Sequence, residues 1–427
     1  MPAVDPELLS DARVLAAYAI FASSYTVFAL GRFPSLKIDR PGAAIIGAVL
    51  MVAFGIVDAP QALASIDFST IVLLFSMMVI VAHVQIAGFF DRVADVVIRR
   101  LHPHHLLPVV VGMSGLLSAL LVNDVVCLML TPLVIGMTRR LRVPPVPYVV
   151  ALATASNIGS VATITGNPQN ILIGSISGIS YAAFTSRLAP VAALGLVANW
   201  AIVQFVYLRG AVDRVNVADA LPVLASGSDD IGASRRTGVG RRTKPIVVLA
   251  VTIGAFFAGV SPALAAASGA AVLLISRTIE PQQIYDRVDW SLLVFFVGLF
   301  VIVGGADRAG LTATLLEPFQ AWNLHRLPIF VSATVVLSNA VSNVPAVMLL
   351  RTLIPGFPDA ASGWLTLSMA STLAGNLTIA GSIANIIVVE RAAADGVRID
   401  FRDYARVGVP LTAVTLLTGA TWLWLVR

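Results

Sequence analysis

Charged residues are scarce in this chain. Asp, Glu, Lys and Arg make up 12% of its 427 residues, whereas hydrophobic residues make up 58%. A soluble domain carries roughly 25% charged residues, so the composition excludes a soluble enzyme. The longest stretch without an apolar run, residues 210–244, is too short to fold as a soluble domain of its own.

Several other features are missing or nearly so. A single cysteine, Cys127, excludes an internal disulfide and a cysteine-based metal centre. The chain contains neither GxxxxGKS nor GxxxxGKT, which argues against an ATP-driven motor. The net charge of +5 does not indicate a nucleic-acid partner, because positive charges in a membrane protein serve chiefly to orient it. The composition therefore predicts a multi-pass membrane protein without a cofactor.

The apolar runs predict an all-α polytopic protein with about ten transmembrane crossings. A crossing needs about 20 apolar residues, and four longer runs are interrupted by polar residues. The runs at 106–138 and 327–354 predict re-entrant hairpins, and those at 148–179 and 365–389 predict broken helices. Irregular backbone at this depth is tolerated only where it is buried in protein or lines a polar cavity.

The two halves of the chain resemble each other. Three segments of the first half match segments of the second half in the same order, namely 65–75 with 287–297, 118–123 with 338–343, and 163–170 with 378–385. We therefore predict a first repeat over 1–209, a cytoplasmic linker over 210–244 and a second repeat over 245–427. Five crossings in each repeat, an odd number, invert the second repeat relative to the first.

The positive charges predict the orientation of the chain. Most of the 28 Lys and Arg residues fall on one side of the ten-crossing topology, the side that contains the linker. Cytoplasmic loops are enriched in Lys and Arg. We therefore expect a cell-membrane protein, in the inner membrane where there are two, with both termini outside.

The predicted hairpin tips contain the first candidate site residues. Asn123 and Asp124 form one tip, and Ser342 and Asn343 form the other. A carboxylate within the membrane is costly and usually functional, so Asp124 is a candidate to bind a coupling sodium ion, with Asn123 and Asn343, or to take up a proton. The alternative is that these residues only cap the helices that follow them.

The broken helices contain the remaining candidates for substrate and ion binding. They are Asn157, Thr163, Thr165, Gly166, Asn167, Pro168 and Asn170 in the first repeat, with Thr378, Gly381, Ser382 and Asn385 in the second. Positive helix N-termini that meet at one spot bind an anion without a buried arginine, while unwound carbonyls hold a cation. The alternative is a kinked helix with satisfied caps and no ligand.

Asp67 and Asp289 occupy matching positions in the two repeats, each just before a long apolar run. An acidic residue there stabilises the start of a helix. The alternative is a role in gating or ion access.

Two motifs resemble a known superfamily. The segment Leu121–Leu133 resembles the first hairpin of arsenite efflux permeases. The segment Ser156–Gly174, which contains the run GNPQN, is similar to bacterial anion permeases and plant silicon-efflux transporters of the ion transporter superfamily. The resemblance implies an inverted-repeat homodimer whose transport part moves like an elevator and binds its ligands at the hairpin tips and broken helices. Divalent anion symporters have Ser-Asn-Thr at both tips, whereas this chain has Val-Asn-Asp and Ser-Asn-Val, which fits proton coupling at least as well as sodium coupling.

These observations together predict a secondary active transporter rather than an enzyme. Its substrate is a small anion or the neutral acid of that anion, such as arsenite, silicate, an inorganic oxyanion or a carboxylate. A sodium/proton antiporter without an anion substrate is the alternative. An intramembrane enzyme or a channel is a third reading, and no repeated nucleophile–base pair supports the enzyme.

Overall fold

The computed structural model describes residues 6–31, 37–100, 103–208, 240–275, 279–311, 314 and 323–426. All regular secondary structure in these ranges is helical. Most of the predicted linker, residues 209–239, lies outside the described residues, so its predicted side of the membrane stays a prediction.

The helices of the first half follow the interrupted pattern that the sequence predicts. They are α1 (Pro6–Leu30), α2 (Arg40–Ala53), α3 (Ala59–Ser65), α4 (Phe68–Ile86), α5 (Phe89–Arg100), α6 (Leu106–Leu120), α7 (Asn123–Arg140), α8 (Pro145–Ser160), α9 (Pro168–Ile176) and α10 (Tyr181–Val203). The hairpin is the pair α6 and α7, and the broken helix is the pair α8 and α9.

The second half repeats this order. Its helices are α11 (Gly240–Phe257), α12 (Pro262–Leu274), α13 (Pro281–Tyr285), α14 (Trp290–Arg308), α15 (Leu327–Val341), α16 (Asn343–Leu350), α17 (Ala360–Ala374), α18 (Ile383–Ala394) and α19 (Phe401–Leu425). Here the hairpin is α15 with α16, and the broken helix is α17 with α18.

Length and composition assign the membrane crossings. Within the described residues, five helices are long and apolar enough to span a bilayer, namely α1, α4, α10, α14 and α19. The shorter apolar helices α2, α11 and α12, together with the two broken helices, account for the other expected crossings. The predicted all-α polytopic fold is confirmed.

Aspartates fix the starts of several helices. Asp67 accepts hydrogen bonds from the backbone N–H groups of Ser69 (2.9 Å) and Thr70 (3.2 Å) at the start of α4. Asp289 accepts one from Leu292 N–H (2.9 Å) at the start of α14. A side-chain oxygen that accepts from these otherwise unpaired donors stabilises a helix N-terminus. The predicted capping role of this related pair is therefore observed in both repeats.

The helices pack as two groups. The helices that precede the hairpins, α1–α4 and α11–α14, form one group, in which α2 packs on α14 and α12 packs on α4. The hairpins, the broken helices and the last helices, α6–α10 and α15–α19, form the other. We call these the scaffold group and the hairpin group.

Each group contains helices from both halves of the chain. In the scaffold group, Phe28 of α1 meets Phe295 of α14 edge-on at 5.2 Å between ring centroids. In the hairpin group, α8 lies so close to α6 that a Cβ on Gly159 would stand 2.0 Å from the carbonyl oxygen of Gly115. Small residues allow such close approach between membrane helices. The hairpin group therefore brings the two tips and the two helix breaks together.

Candidate transport site

A cavity of about 150 Å³ lies where the two groups meet. The scaffold group contributes the starts of α2 and α14 to its wall. The hairpin group contributes both tips and the starts of the second parts of both broken helices. The predicted site residues that line it are Asn123, Asp124, Pro168, Ser342, Asn343 and Ser382.

Four helix N-termini converge on this cavity, those of α7, α9, α16 and α18. In α9 the side chain of Asn167 accepts from Asn170 N–H (2.8 Å) and caps the helix. At the capping positions of the other three, Val122, Ser342 and Ser382, no side chain accepts a hydrogen bond from the N–H groups of the helix that follows. A helix N-terminus carries a partial charge of about +0.5 and unpaired N–H donors. The cavity is therefore surrounded by positive dipoles, three of them without a side-chain cap.

The first tip places oxygen acceptors at the cavity. Asn123 is 3% exposed, and its Nδ2 donates to Asn157 Oδ1 (3.1 Å) while its own Oδ1 has no partner. The Asp124 carboxylate lines the cavity, and among the described residues it has neither a hydrogen bond nor an ion pair. A buried acceptor without a partner is costly. The amide oxygen of Asn123 is therefore suited to a bound cation or a ligand hydroxyl. The Asp124 carboxylate, which is partly exposed to the cavity, is costly to leave charged within a membrane and is suited to a cation or a proton.

The second tip differs in its backbone. Ser342 has φ +76° and ψ 159°, a conformation that is essentially restricted to glycine and costs on the order of 1–3 kcal/mol in other residues. The matching Val122 has a relaxed φ of −63°. Next to Ser342, the buried Oδ1 of Asn343 has no partner, as at the first tip. Such strain concentrates at ligand-binding positions.

Asn157 connects the two repeats beneath the cavity. Its Nδ2 donates to the Oδ1 atoms of Asn376 (2.9 Å) and Asn385 (3.0 Å). Its Oδ1 accepts from Asn123 Nδ2 (3.1 Å) and from Ser382 Oγ (3.0 Å). The Asn157 side chain therefore has all of its donors and acceptors paired, and a buried hydrogen-bond network of this kind is rigid. Asn157 therefore holds the cavity walls in place and does not line the cavity.

Asn170 and Asn385 hold the helix breaks together. Asn170 Nδ2 donates to the carbonyl oxygens of Ser160 and Thr163, both at 3.0 Å, across the first break. Asn385 Nδ2 donates to the two corresponding carbonyls of the second break at 2.7 and 3.2 Å. Unwound carbonyls need such partners when they are buried. These two predicted site residues therefore support the breaks, and neither lines the cavity.

The other predicted residues around the breaks also lie outside the cavity wall. A Cβ on Gly166 would stand 2.2 Å from the carbonyl oxygen of Ser160, so only glycine fits there. The hydroxyl groups of Thr165 and Tyr181 lie 2.9 Å apart, and Thr163 donates to a carbonyl of α6. The predicted residues outside the wall are Asn157, Thr163, Thr165, Gly166, Asn167, Asn170, Thr378, Gly381 and Asn385.

Arg40 is a cavity residue that the sequence analysis does not identify. Its side chain lines the cavity, and its Nε donates to the carbonyl oxygen of Phe28 (2.9 Å). The sequence places Arg40 in a basic loop before an apolar run, where a loop charge is normally solvated. In the structure α2 begins at Arg40 itself, and the start of α2 faces the tips. Asp289 likewise lines the cavity in addition to capping α14.

Comparison with known proteins relates this chain to membrane transporters. A family model described as a citrate transporter matches residues 25–374. The silicon efflux transporter LSI3 of Oryza sativa subsp. japonica is 30% identical, with 90% of this chain and 92% of that protein aligned. The putative transporter arsB of Dictyostelium discoideum is 27% identical, with 90% and 87% aligned. The uncharacterized transporter Rv2685 of Mycobacterium tuberculosis is 29% identical, with 96% and 98% aligned.

A solved structure shares the fold. The crystal structure of the Alcanivorax borkumensis YdaH transporter superposes with a TM-score of 0.54 over 98% of both chains, at 13% sequence identity. At this identity the likeness concerns the fold alone.

Proposed function

The chain belongs to the citrate transporter family, and from this premise we propose that it is a secondary active transporter whose substrate is a small anion or the neutral acid of that anion. The observation that carries the proposal is the cavity between the tips. Positive helix N-termini surround it, and the unpaired carboxylate of Asp124 lines it. The helix N-termini can bind an anion and the carboxylate can bind a coupling cation beside it.

The anion binds at the helix N-termini. The backbone N–H groups at the starts of α7, α16 and α18 lack side-chain caps and so are available to substrate oxygens. The hydroxyl group of Ser342 donates to the substrate as well, whereas that of Ser382 already donates to Asn157 Oδ1. Arsenite, silicate, other oxyanions and carboxylates all present oxygens to such donors.

The coupling ion, a proton or sodium, binds at Asp124. The unpartnered Oδ1 atoms of Asn123 and Asn343 provide further oxygens from the two tips. Neutralising Asp124 removes a negative charge next to the anion, so each ligand favours the binding of the other. This reciprocity is the thermodynamic requirement for coupled transport.

Transport proceeds by alternating access in an elevator-type movement. The hairpin group carries the site and shifts against the scaffold group, which forms the homodimer contact. The repeats over 1–209 and 245–427 are inverted, with both termini outside and the linker over 210–244 in the cytoplasm.

A sodium/proton antiporter is the second candidate. The observation that favours it is the carboxylate of Asp124 beside two unpartnered amide oxygens, a set that holds a cation without any anion. The uncapped N-termini have no role in such an exchanger. Proton flux driven by sodium in the absence of anions would favour the antiporter.

Flux in proteoliposomes tests the proposal. We expect concentrative uptake of citrate, phosphate, sulfate, arsenite or silicate, driven by an imposed proton or sodium gradient. Asp124→Asn abolishes the gradient-driven component, whereas Asp91→Asn, an exposed carboxylate on α5, leaves it unchanged. Gradient-driven uptake by Asp124→Asn at the wild-type rate would contradict the role of Asp124.

A further inference from the structure

Arg40 is the cationic residue among the charged residues of the cavity, and the others are carboxylates. The charged side chains that line the cavity are Arg40, Asp124 and Asp289. No ion pair within 4.0 Å joins Arg40 to an acidic residue in the described part of the chain. One oxygen of Asp289 already caps α14. Arg40 therefore keeps most of its hydrogen-bond donors for another partner.

The position of Arg40 is fixed from the scaffold group. It is the first residue of α2, and its Nε bond to the Phe28 carbonyl ties the guanidinium to the end of α1. Neither nitrogen beyond Nε has a hydrogen-bond partner among the described residues, and a guanidinium presents these nitrogens in a plane that suits an oxyanion. A substrate in the cavity lies between this group and the helix N-termini of the tips. It would contact both helix groups at once.

The repeat provides such an arginine on one side only. Helices α2 and α12 both have a proline in their first positions, Pro41 and Pro262, so the residue that corresponds to Arg40 is Ser261. Because α2 packs on α14 as α12 packs on α4, the inverted repeat predicts a second, alternative position for the tips against α12 and α4. In that alternative position the uncharged Ser261 takes the place next to the tips that Arg40 has in this structure.

The corresponding contact at the other end is closed in this structure. Asp67, the counterpart of Asp289, accepts hydrogen bonds from the hydroxyl groups of Ser175 and Thr70. Ser175 belongs to α9 of the hairpin group, so this contact joins the two groups directly. In this structure the tips therefore lie against α2 and α14, and the site is closed at the end near α4.

We propose that Arg40 binds the negative charge of the substrate from one side of the membrane only, so that the site selects a charged anion there over an uncharged acid. The inference rests on the proposed function, because it assumes alternating access of one site. In the proposed orientation the side of Arg40 is the cytoplasmic side. The substrate then binds more tightly from the cytoplasm than from outside.

Transport measured from each face of oriented membrane vesicles tests this. The probes are citrate, phosphate and sulfate, which are charged at neutral pH, and arsenous acid, which is not. Arg40→Gln is expected to raise the cytoplasmic KM of a charged probe roughly tenfold or more. It leaves the external KM unchanged, and it leaves the KM of arsenous acid unchanged on both faces. Arg40→Lys, which keeps the charge, restores part of the cytoplasmic affinity.

Two further variants complete the design. Ser261→Arg adds the missing charge and is expected to lower the external KM of the charged probe. Arg287→Gln removes an exposed arginine whose Nη1 likewise donates to a backbone carbonyl (2.6 Å), and it serves as the matched control without effect.

Several outcomes would overturn the inference alone. They are an equal rise of KM on both faces, no rise on either face, the same rise for arsenous acid, or a wild-type protein that carries arsenous acid but no charged probe. A wild-type protein that carries none of the probes under either ion gradient would instead contradict the proposed function, and the inference with it.

Discussion

The two hairpin tips have the same place in the fold and different chemistry. The first presents Asn123 and Asp124 on a relaxed backbone, and the second presents Asn343 next to a strained Ser342 without a carboxylate. Both keep an amide oxygen without a partner. The two tips therefore share an unpartnered amide oxygen, while the first adds a carboxylate and the second adds a strained backbone.

The helix breaks next to the tips show the largest expected difference between the repeats. A Cβ on Gly166 would stand 2.2 Å from a backbone carbonyl, whereas a Cβ on Gly381 would stand 2.9 Å from one. We expect Gly166→Ala to lower the free energy of unfolding by about 3 kcal/mol and Gly381→Ala by about 1 kcal/mol. The three atoms nearest the added Cβ at Gly166 are all backbone atoms within 2.8 Å, whereas two of the three at Gly381 are side-chain atoms at 3.0 and 3.3 Å, and side chains yield more easily. Unfolding in detergent micelles measures both.

Gly136→Ala is the control for this pair. Nothing lies within 4 Å of its added Cβ, and a helical alanine is more stable than glycine by roughly 0.5–1 kcal/mol. A smaller loss for Gly166→Ala than for Gly381→Ala would reverse the comparison.

The strain at the second tip gives the next largest effect. Ser342→Gly is expected to raise the free energy of unfolding by about 1 kcal/mol, because glycine adopts φ +76° at little cost. Ser342→Ala removes the same hydroxyl group without relieving the strain, so it serves as the control. Equal stabilities of the two variants would show that the backbone of the second tip is as relaxed as that of the first.

The amide side chains of the tips give the smallest effect. Asn123→Ala removes a hydrogen bond to Asn157 and is expected to cost about 1 kcal/mol. Asn343→Ala removes only an unpartnered oxygen from a buried position and is expected to change stability by less than about 0.5 kcal/mol. Both weaken binding of the coupling ion. Equal losses of stability would mean that the Asn343 side chain stabilises its tip as much as the Asn123 side chain does.

Much of this comparison is accessible from the sequence because polar residues stand out in apolar runs. Asn123, Asp124 and Ser342 interrupt predicted spans, and they line the cavity. Arg40 could not be assigned, because a positive charge before a span has the same pattern whether it faces water or a cavity. Asn376 was missed for another reason, since its bond to Asn157 exists only when the two repeats pack together.

The strain at Ser342 also leaves no trace in the sequence. A serine before an asparagine is typical of an ordinary helix cap, and only the backbone angles reveal the unusual conformation. Likewise, Asn170 and Asn385 have the residue type of a binding site. Their amide groups are directed at the carbonyls of the breaks, which the sequence pattern does not specify.

Binding of the anion at different proton or sodium concentrations tests the central claim most directly. The claim is that Asp124 binds the coupling ion while the helix N-termini bind the substrate. Calorimetric titration of the transported anion into the wild-type protein is expected to give an affinity that rises with the coupling ion. In Asp124→Asn the dependence on the ion is lost, while anion binding itself is retained. An undiminished dependence on the ion in Asp124→Asn would contradict the account.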